Sequence, residues 1–419
     1  MRRASGWILA VPDSGRRMRR LAPRFLQALT LALLALAWAR SAVAAAPALT
    51  ICHIDDRSGA AADTGTQGYR AVQLAVDEIN AAGGIAGHQV QLIGYDGKTD
   101  PQLSASFAAR CAEDDHALLI IGANPAAVAT GIAAVANEDR IPFFVMGATV
   151  DKLTDPPAPW LFRFGPANRQ DAGAVADLLA KQGFRRIAII NCSAPFGIDG
   201  QRAMVAALAA RRIAVVVQQT YDTGAADLTP QLLSIRDARP DAMVIFPYPA
   251  DGARVLRTAQ QLNLRTPTIV VRSALQQALL KLAGSSADGV LVPNTVDPNR
   301  ADVKAFFVAF NSRFGPHLPN LYPAVAYDAA HAAFRALAQP EVLKAVDSGN
   351  VEQARLALRD AVEKIGSFDG IEGAAGTHYQ FSTTRHQGPP DARWFTFIEV
   401  AGNGTRFESA NLDAFRPRP

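Results

Sequence analysis

The chain is poor in the residues that build metal centres and covalent active sites: three cysteines and seven histidines are scattered through 419 residues. Their spacings match no zinc or iron–sulfur pattern, and no phosphate loop, dinucleotide glycine motif, nucleophile elbow or metalloprotease helix occurs. Asp55 and Asp56 form a carboxylate pair of the kind used in acid–base catalysis. The Arg-Ser-Gly that follows them is instead typical of a loop entering a helix. We predict a protein that is not an enzyme and that uses no cofactor or metal.

The chain has a short hydrophobic run near its amino terminus, and no hydrophobic run of membrane-spanning length follows it. An arginine-rich stretch, Arg16 to Arg24, precedes an apolar run from Leu26 to Trp38, and Ser41 to Ala44 supplies the small residues of a processing site. The apolar run is too short to span a bilayer comfortably. We predict that residues 1–46 are a signal peptide that is removed, so the mature protein is periplasmic. Met18 is a second candidate start, because the sequence from there also reads as a complete leader.

A basic cluster is absent from the rest of the chain. The formal net charge is +4, but residues 1–46 contain eight arginines and one aspartate, so the remaining residues carry about −3. Phosphate binding needs a concentrated basic surface. A nucleic-acid partner is therefore excluded.

The three cysteines leave the redox state open. Cys52 lies in the first predicted strand, Cys111 late in a helix and Cys192 at the end of another strand. Exported proteins meet oxidising conditions. One disulfide with a free thiol is compatible with the sequence, and so is none.

What the chain does contain is a regular alternation of apolar runs and amphipathic segments. Residues 65–87 read as a helix with one apolar face that ends at Gly83 and Gly84 and leads into a strand. Several strand candidates are apolar at almost every position, as in parallel strands covered on both faces. The candidates are Leu49–Ile54, Val90–Tyr95, Leu118–Ile121, Pro142–Met146, Ile187–Asn191, Ile213–Gln219, Ala242–Phe246, Thr268–Val271 and Gly289–Val292. We predict an α/β fold built from doubly wound sheets.

The strand candidates are too many for one sheet of ordinary size, so we predict two lobes in tandem. Trp160 to Asp171 is the predicted first crossover. Three late helical patterns without strands between them, 301–313, 323–337 and 351–365, are expected to return to the first lobe, and an aromatic-rich strand at 393–400 to the second. The predicted lobe I comprises 47–166 and 295–378, and lobe II comprises 167–294 and 379–419.

Several segments carry a family resemblance. They are GYRAVQLAVDEINAAGGIAGHQVQLIGYD at 68–96, LLIIGANPAAVATG at 118–131, PFGIDG at 195–200 and YDAAHAAFRAL at 327–337. Together, in this order and spacing, they resemble the periplasmic leucine/isoleucine/valine-binding protein family, the type 1 solute-binding proteins of ABC importers. The resemblance covers nearly all of the mature chain.

The resemblance implies two Rossmann-like lobes joined by hinge strands. It also implies a monomer that closes these lobes on a small ligand and delivers it to an inner-membrane ABC permease. The same module can instead present its closed form to a membrane receptor or kinase, and no motif separates transport from sensing. The leader and the lack of a helix-turn-helix segment exclude a DNA-binding regulator with similar lobes.

Two loops are candidates for holding a carboxylate. Asn124 stands in a natural N-cap position with Pro125 as the first helical residue, so that the helix would direct free amides and its positive end at an anion. Gly147, Ala148 and Thr149 offer close backbone approach and one hydroxyl. In proteins that this chain resembles, these loops hold the ligand's carboxylate. The alternative is that Asn124 only caps a helix and Thr149 only begins one.

Other positions depart from the amino-acid binders that the chain resembles. Ala126 replaces a serine at the helix start, Phe196 replaces a tyrosine, and Tyr248 matches an aromatic residue of the cleft. Arg272 stands about where those proteins keep an acid for the ligand's ammonium group. A guanidinium there would attract a second carboxylate, although an arginine at a strand end is also a common structural residue. We therefore predict an organic acid as ligand, with aromatic and dicarboxylic acids as candidates, in place of a branched-chain amino acid.

Overall fold

The structure, a computed structural model, describes residues 46–417. Residues 1–45, which contain almost all of the predicted signal peptide, lie outside the described residues. Within 46–417, no helix has both the length and the apolar character required to cross a bilayer. The cleaved leader stays a prediction.

Five parallel strands form the first sheet, in the order β2-β1-β3-β4-β5. Most of their apolar side chains are buried, as expected for strands covered by helices on both faces. The strands are β1 (Leu49–Asp55), β2 (Val90–Asp96), β3 (Leu119–Gly122), β4 (Phe143–Val145) and β5 (Leu161–Arg163). Each of the first three leads into a helix; these are α1 (Ala62–Ala81), α2 (Pro101–Glu113) and α3 (Ala126–Glu138).

Strand β5 corrects the predicted start of the first crossover. The sequence placed Leu161 to Arg163 in the connection, whereas the structure pairs them with β4. The strand has only three residues, and the last carries a charge, so no strand pattern marks it. The chain leaves the first sheet only after Arg163.

The second sheet begins with five parallel strands in the order β10-β9-β8-β6-β7. They are β6 (Arg186–Cys192), β7 (Ala214–Tyr221), β8 (Ala242–Phe246), β9 (Thr268–Val270) and β10 (Leu291–Asn294). The accompanying helices are α4 (Asn168–Lys181), α5 (Pro195–Ala210), α6 (Thr229–Ala238), α7 (Pro249–Gln261) and α8 (Gln277–Ala283). Both sheets thus present several carboxyl strand ends to loops and helix starts.

Four further helices follow β10 without a strand between them. They are α9 (Ala301–Phe314), α10 (Leu321–Leu337), α11 (Pro340–Asp347) and α12 (Val351–Glu363). Their apolar faces join Leu49 and Ile51 of β1 in one core. The late helices therefore pack on the first sheet.

The chain ends with four short strands: β11 (Gly366–Phe368), β12 (Tyr379–Phe381), β13 (Thr396–Ala401) and β14 (Arg406–Ser409). β13 pairs antiparallel with β10 and so extends the second sheet. β11 and β12 form a separate hairpin, and Phe381 packs on Phe162 of the first sheet with ring centroids 6.0 Å apart.

The cysteines occupy two different environments. Cys52 of β1 and Cys111 of α2 form a disulfide, while Cys192 is a buried free thiol. Of the two states that the sequence left open, the structure therefore has one disulfide with one free cysteine.

Candidate functional site

A cavity of about 490 Å³ lies between the two sheets, at the carboxyl ends of their parallel strands. Ligands gather at this position in open α/β sheets. Seven of the eight predicted ligand-binding residues line it, namely Asn124, Ala126, Gly147, Thr149, Phe196, Tyr248 and Arg272. Ala148 is buried beside them without lining the cavity. The structure thus brings together residues that are far apart in the sequence.

The N-cap prediction for Asn124 is wrong. Helix α3 begins at Ala126, and Pro125 stands at the cap position with no side-chain hydrogen bond. Asn124 faces the first strand: its Nδ2 donates to Asp55 Oδ2 at 2.6 Å and its backbone N–H donates to Asp55 Oδ1 at 3.2 Å. The residue therefore orders the loop after β3 through an interaction between strands.

Burial, together with the neighbouring Asp56 carboxylate, raises the pKa of Asp55 to about 8. The N–H donors of Asp56 and Asn124 oppose the shift without cancelling it. Asp55 is thus a buried acid whose role is to hold Asn124. Gly147 packs against the same amide, since a Cβ there would lie 2.3 Å from Asn124 Oδ1. Only glycine fits at this position without displacing Asn124.

The loop that carries Thr149 is held by Arg163 of β5. The buried guanidinium donates to the carbonyl oxygens of Ala148 and Val150, on either side of Thr149, and its Nε donates to Thr154 Oγ1 at 2.9 Å. The backbone N–H of Asn168 donates to the Thr149 carbonyl at 2.8 Å. Among the described residues, the buried Thr149 hydroxyl has no hydrogen-bond partner. A fixed hydroxyl is therefore available at the cavity wall.

Helix α3 begins at the same wall. Its first backbone bond joins Ala129 N–H to the Pro125 carbonyl at 2.9 Å, so the amides of the preceding turn have no acceptor within the helix. These amides and the helix dipole favour an anion. The start of α3 and the Thr149 hydroxyl together form a local environment suited to a carboxylate.

Arg272 is not an unpaired cation. Its Nε donates to both carboxylate oxygens of Asp171, at 2.9 and 3.1 Å, and its Nη2 donates to the Pro166 carbonyl at 2.7 Å. Burial alone would lower the pKa of Arg272, but the Asp171 carboxylate outweighs burial and the pKa is raised. The residue lines the cavity as one half of an ion pair, which is the structural role that the sequence left as the alternative.

Aromatic side chains form the opposite wall. The rings of Phe196 and Tyr248 lie 4.9 Å apart at a tilt of 57°. Burial raises the pKa of Tyr248 to about 12, so its hydroxyl is neutral at physiological pH. Next to them Arg254 Nη1 donates to Asp251 Oδ1 at 2.9 Å. This wall combines apolar rings with a second neutralised charge pair.

Several cavity residues escaped the sequence analysis. Asp171, Asp251, Gln276 and Tyr322 line the cavity, yet none belongs to a recognisable motif. The one available signal was position: Asp171, Asp251 and Tyr322 fall in the first turns of helices.

Two parallel sheets that share a cavity at their carboxyl ends define a two-lobed solute-binding protein. The chain belongs to the periplasmic binding protein family, whose sequence profile matches residues 48–403. This confirms the resemblance seen in the sequence. The family is extracytoplasmic and comprises solute-binding proteins rather than enzymes.

Individual relatives agree with this assignment. The Leu/Ile/Val-binding protein of Escherichia coli (strain K12) is 26% identical over 258 residues, which are 61% of this chain and 70% of that protein. The Leu/Ile/Val-binding protein homolog 8 of Brucella abortus (strain 2308) is 25% identical over 300 residues, covering 67% of this chain and 73% of that one. Homolog 7 from the same strain is matched over 55% of its length.

Solved structures establish the fold. A periplasmic binding protein type 1 from Bordetella pertussis Tohama I superposes with a TM-score of 0.76 at 25% identity, over 86% of this chain and 99% of that one. A branched-chain amino acid transporter substrate binding protein from Streptococcus pneumoniae, in complex with isoleucine, gives a TM-score of 0.73 at 20% identity, over 86% and 98%. The predicted α/β fold of type 1 periplasmic binding proteins is confirmed.

Proposed function

We propose that this protein captures a small carboxylate-bearing solute, an organic acid or an amino acid, in the cavity between its two sheets and delivers it to an ABC importer. The observation that carries the proposal is the meeting of the α3 amino terminus with the unpartnered Thr149 hydroxyl at one wall. Backbone amides, a helix dipole and a hydroxyl together favour a carboxylate over a neutral group.

The rest of the cavity selects for an apolar body. Phe196 and Tyr248 supply aromatic surface, and the volume of about 490 Å³ lies within the range of small-molecule sites. Because Asp171 neutralises Arg272, the charge argument for a second carboxylate is weaker than the sequence suggested. The proposal therefore keeps amino acids beside aromatic and dicarboxylic acids as ligands.

We propose that the captured solute is imported, because the chain belongs to the periplasmic binding protein family and is similar to a branched-chain amino acid transporter substrate binding protein. We propose that the mature chain works in the periplasm as a monomer and that an inner-membrane permease recognises its closed form. We also propose the division into two lobes that the sequence predicts, with the last crossing displaced towards residue 395, because residues 379–388 contact the first sheet at Phe162 and Arg163.

Thermal-shift screening of the mature protein against amino acids and carboxylic acids tests capture, because a ligand that binds only the folded state raises the melting temperature. Thr149→Val removes the hydroxyl while keeping the side-chain shape, and we expect about a tenfold loss of affinity for any acid that binds, since a hydrogen bond to a charged group contributes about 1.5–3 kcal/mol. Thr383→Val, in an exposed turn, is the matched control. Stabilisation by no carboxylate at all would refute the proposal.

A further inference from the structure

The side-chain amides of Asn320, Gln67 and Gln276 form a chain of hydrogen bonds, called the relay below. It connects two helices that pack on the first sheet with a loop of the second sheet. The Asn320 Nδ2 donates to Gln67 Oε1 at 3.2 Å, and the Gln67 Nε2 donates to Gln276 Oε1 at 3.4 Å. Gln67 lies on α1 and Asn320 caps α10, and both helices pack on the first sheet. Gln276 follows β9 of the second sheet and occupies the N-cap position of α8 without a capping hydrogen bond from its side chain. The relay therefore joins the two sides of the cavity.

The direction of every hydrogen bond in the relay follows from a single backbone group. The N–H of Tyr322 donates to Asn320 Oδ1 at 3.1 Å, and a backbone amide can only donate. The oxygen of Asn320 must therefore face Tyr322, which leaves its NH₂ to donate to Gln67. The oxygen of Gln67 is thereby engaged, so its own NH₂ donates onwards to Gln276.

The Asp63 carboxylate supports the same direction, because its Oδ1 accepts from Gln67 Nε2 at 3.2 Å. A carboxylate beside that nitrogen would repel an amide oxygen. Reversing the Gln67 amide would therefore lose two acceptors at once. The relay has one stable polarity.

Gln276 is left with a donor that has no acceptor. Its side chain is 2% exposed and lines the cavity. Its oxygen faces Gln67, and its Nε2 is buried without a hydrogen-bond partner among residues 46–417. An unsatisfied buried amide donor destabilises the protein, and a ligand that supplies an acceptor would remove this cost.

We infer that Gln276 is a specificity residue that donates a hydrogen bond to an acceptor group on the solute, separate from the carboxylate at α3, and that the relay through Gln67 couples this contact to closure of the two sheets. The inference rests on the proposed function and narrows its ligand class. The solute carries a carboxylate together with a second acceptor, either a carbonyl or another carboxylate.

The coupling follows from the shared amide group. A solute acceptor fixes the rotation of the Gln276 amide with its NH₂ towards the cavity. The same rotation presents the Gln276 oxygen to Gln67 on the opposite side. Binding of an acceptor-bearing solute therefore stabilises the contact between the two sides of the cavity, whereas a plain monocarboxylate leaves the orientation of the Gln276 amide to its hydrogen bond with Gln67 alone.

Two substitutions separate recognition of the solute by Gln276 from the coupling of this contact to closure of the two sheets. Gln276→Met removes the donor that would face the solute without adding charge. Gln67→Met removes the hydrogen bond from Gln67 to Gln276, which joins the two sides of the cavity, and leaves the Gln276 donor in place. Gln261→Met, on the exposed end of α7, is the matched control for a glutamine-to-methionine change.

The probes are benzoate, 4-acetylbenzoate, terephthalate, pentanoate and glutarate, measured by isothermal titration calorimetry and stopped-flow dissociation. In the unaltered protein we expect at least one acceptor-bearing acid to bind at least tenfold more tightly than the plain acid of its series. Gln276→Met should abolish this preference, so that the affinity ratio between each acceptor-bearing acid and the plain acid of its series falls to about one. Gln67→Met should accelerate dissociation of the acceptor-bearing acids, and Gln261→Met should change nothing.

The outcomes distinguish this inference from the function on which it rests. If plain acids bind and acceptor-bearing acids gain nothing, or if the preference survives Gln276→Met, the role of Gln276 is refuted and capture of carboxylates stands. If the preference disappears but Gln67→Met leaves dissociation unchanged, the coupling is refuted. If none of the acids binds the unaltered protein, this inference fails, and the proposed function is decided by the thermal-shift screen, which also includes amino acids.

Discussion

Asn124 donates both its backbone N–H and its side-chain NH₂ to the carboxylate of Asp55, so the loop after β3 is tied to the end of β1 by two hydrogen bonds. The two residues are 69 positions apart in the sequence. Their contact, and not an N-cap, sets where α3 begins and directs its first amides to the cavity.

Asn124→Ala should lower both stability and ligand affinity. The substitution keeps the backbone N–H but removes the side-chain donor to the buried Asp55 Oδ2, and we expect a loss of about 1–3 kcal/mol in the free energy of unfolding, measured in urea. Asn137→Ala on the outer surface of α3 is the control and should change stability by less than about 0.5 kcal/mol. Equal stability of the two variants would show that the Asp55 contact contributes nothing.

Arg163→Met should disorder the loop that carries Thr149. The variant removes the donors to the Ala148 and Val150 carbonyls and leaves these buried oxygens without partners. We expect a loss of about 3 kcal/mol or more in the free energy of unfolding and weaker binding of any carboxylate found by screening. Denaturant titration and calorimetry measure the two effects.

The control for this change is Arg265→Met, because Arg265 is exposed. Its stability and affinity should stay close to those of the unaltered protein. If Arg163→Met loses stability but binds carboxylates with full affinity, Arg163 is a core residue only and does not position the loop.

The fold could be predicted well from the sequence, because the patterns that indicate strands and helices are local and recur along the chain. Apolar runs such as Leu118–Ile121 can only be buried strands, and residues 65–87 carry their own helix period and glycine exit. The three-residue strand β5 escaped because its pattern is too short and ends in Arg163, whose charge is satisfied only by the folded loop around it.

The candidate site was predicted by position more reliably than by role. Loops at strand ends could be read directly, and seven of the eight predicted residues line one cavity. The partners of these residues could not be predicted. Asp55 contacts Asn124, and Asp171 contacts Arg272, only once the chain has folded. The role of Gln276 could not be predicted for the same reason, because the orientation of its amide depends on the backbone N–H of Tyr322, 46 positions away.

The Arg272–Asp171 pair should behave as a unit. Asp171→Leu leaves a buried guanidinium without its counter-charge, and Arg272→Met leaves a buried carboxylate, so each single variant should lose about 3–5 kcal/mol of unfolding free energy. The double variant should recover much of this loss, because two apolar side chains need no charge compensation. Urea denaturation of the four proteins in a double-mutant cycle gives the coupling. Additive losses would mean that the two residues act independently.

Glu372 should make stability fall as pH rises. Burial raises the pKa of Glu372 to about 8, with Asp328 adding to the shift and the Tyr379 hydroxyl and Arg272 opposing it. The folded state then holds a proton that the unfolded state has released, so the unfolding free energy declines between the ordinary glutamate pKa of 4.5 and about pH 8.

Glu372→Gln isolates this effect because the amide keeps an acceptor for the Tyr379 hydroxyl, now 2.7 Å from Glu372 Oε2, but cannot ionise. Urea denaturation from pH 5 to pH 8.5 should show a smaller decline for the variant, by up to about 1 kcal/mol per pH unit. Glu341→Gln, at an exposed position on α11, should retain the full decline. A Glu372→Gln profile parallel to that of the unaltered protein would mean that Glu372 does not hold a proton in the folded state at neutral pH.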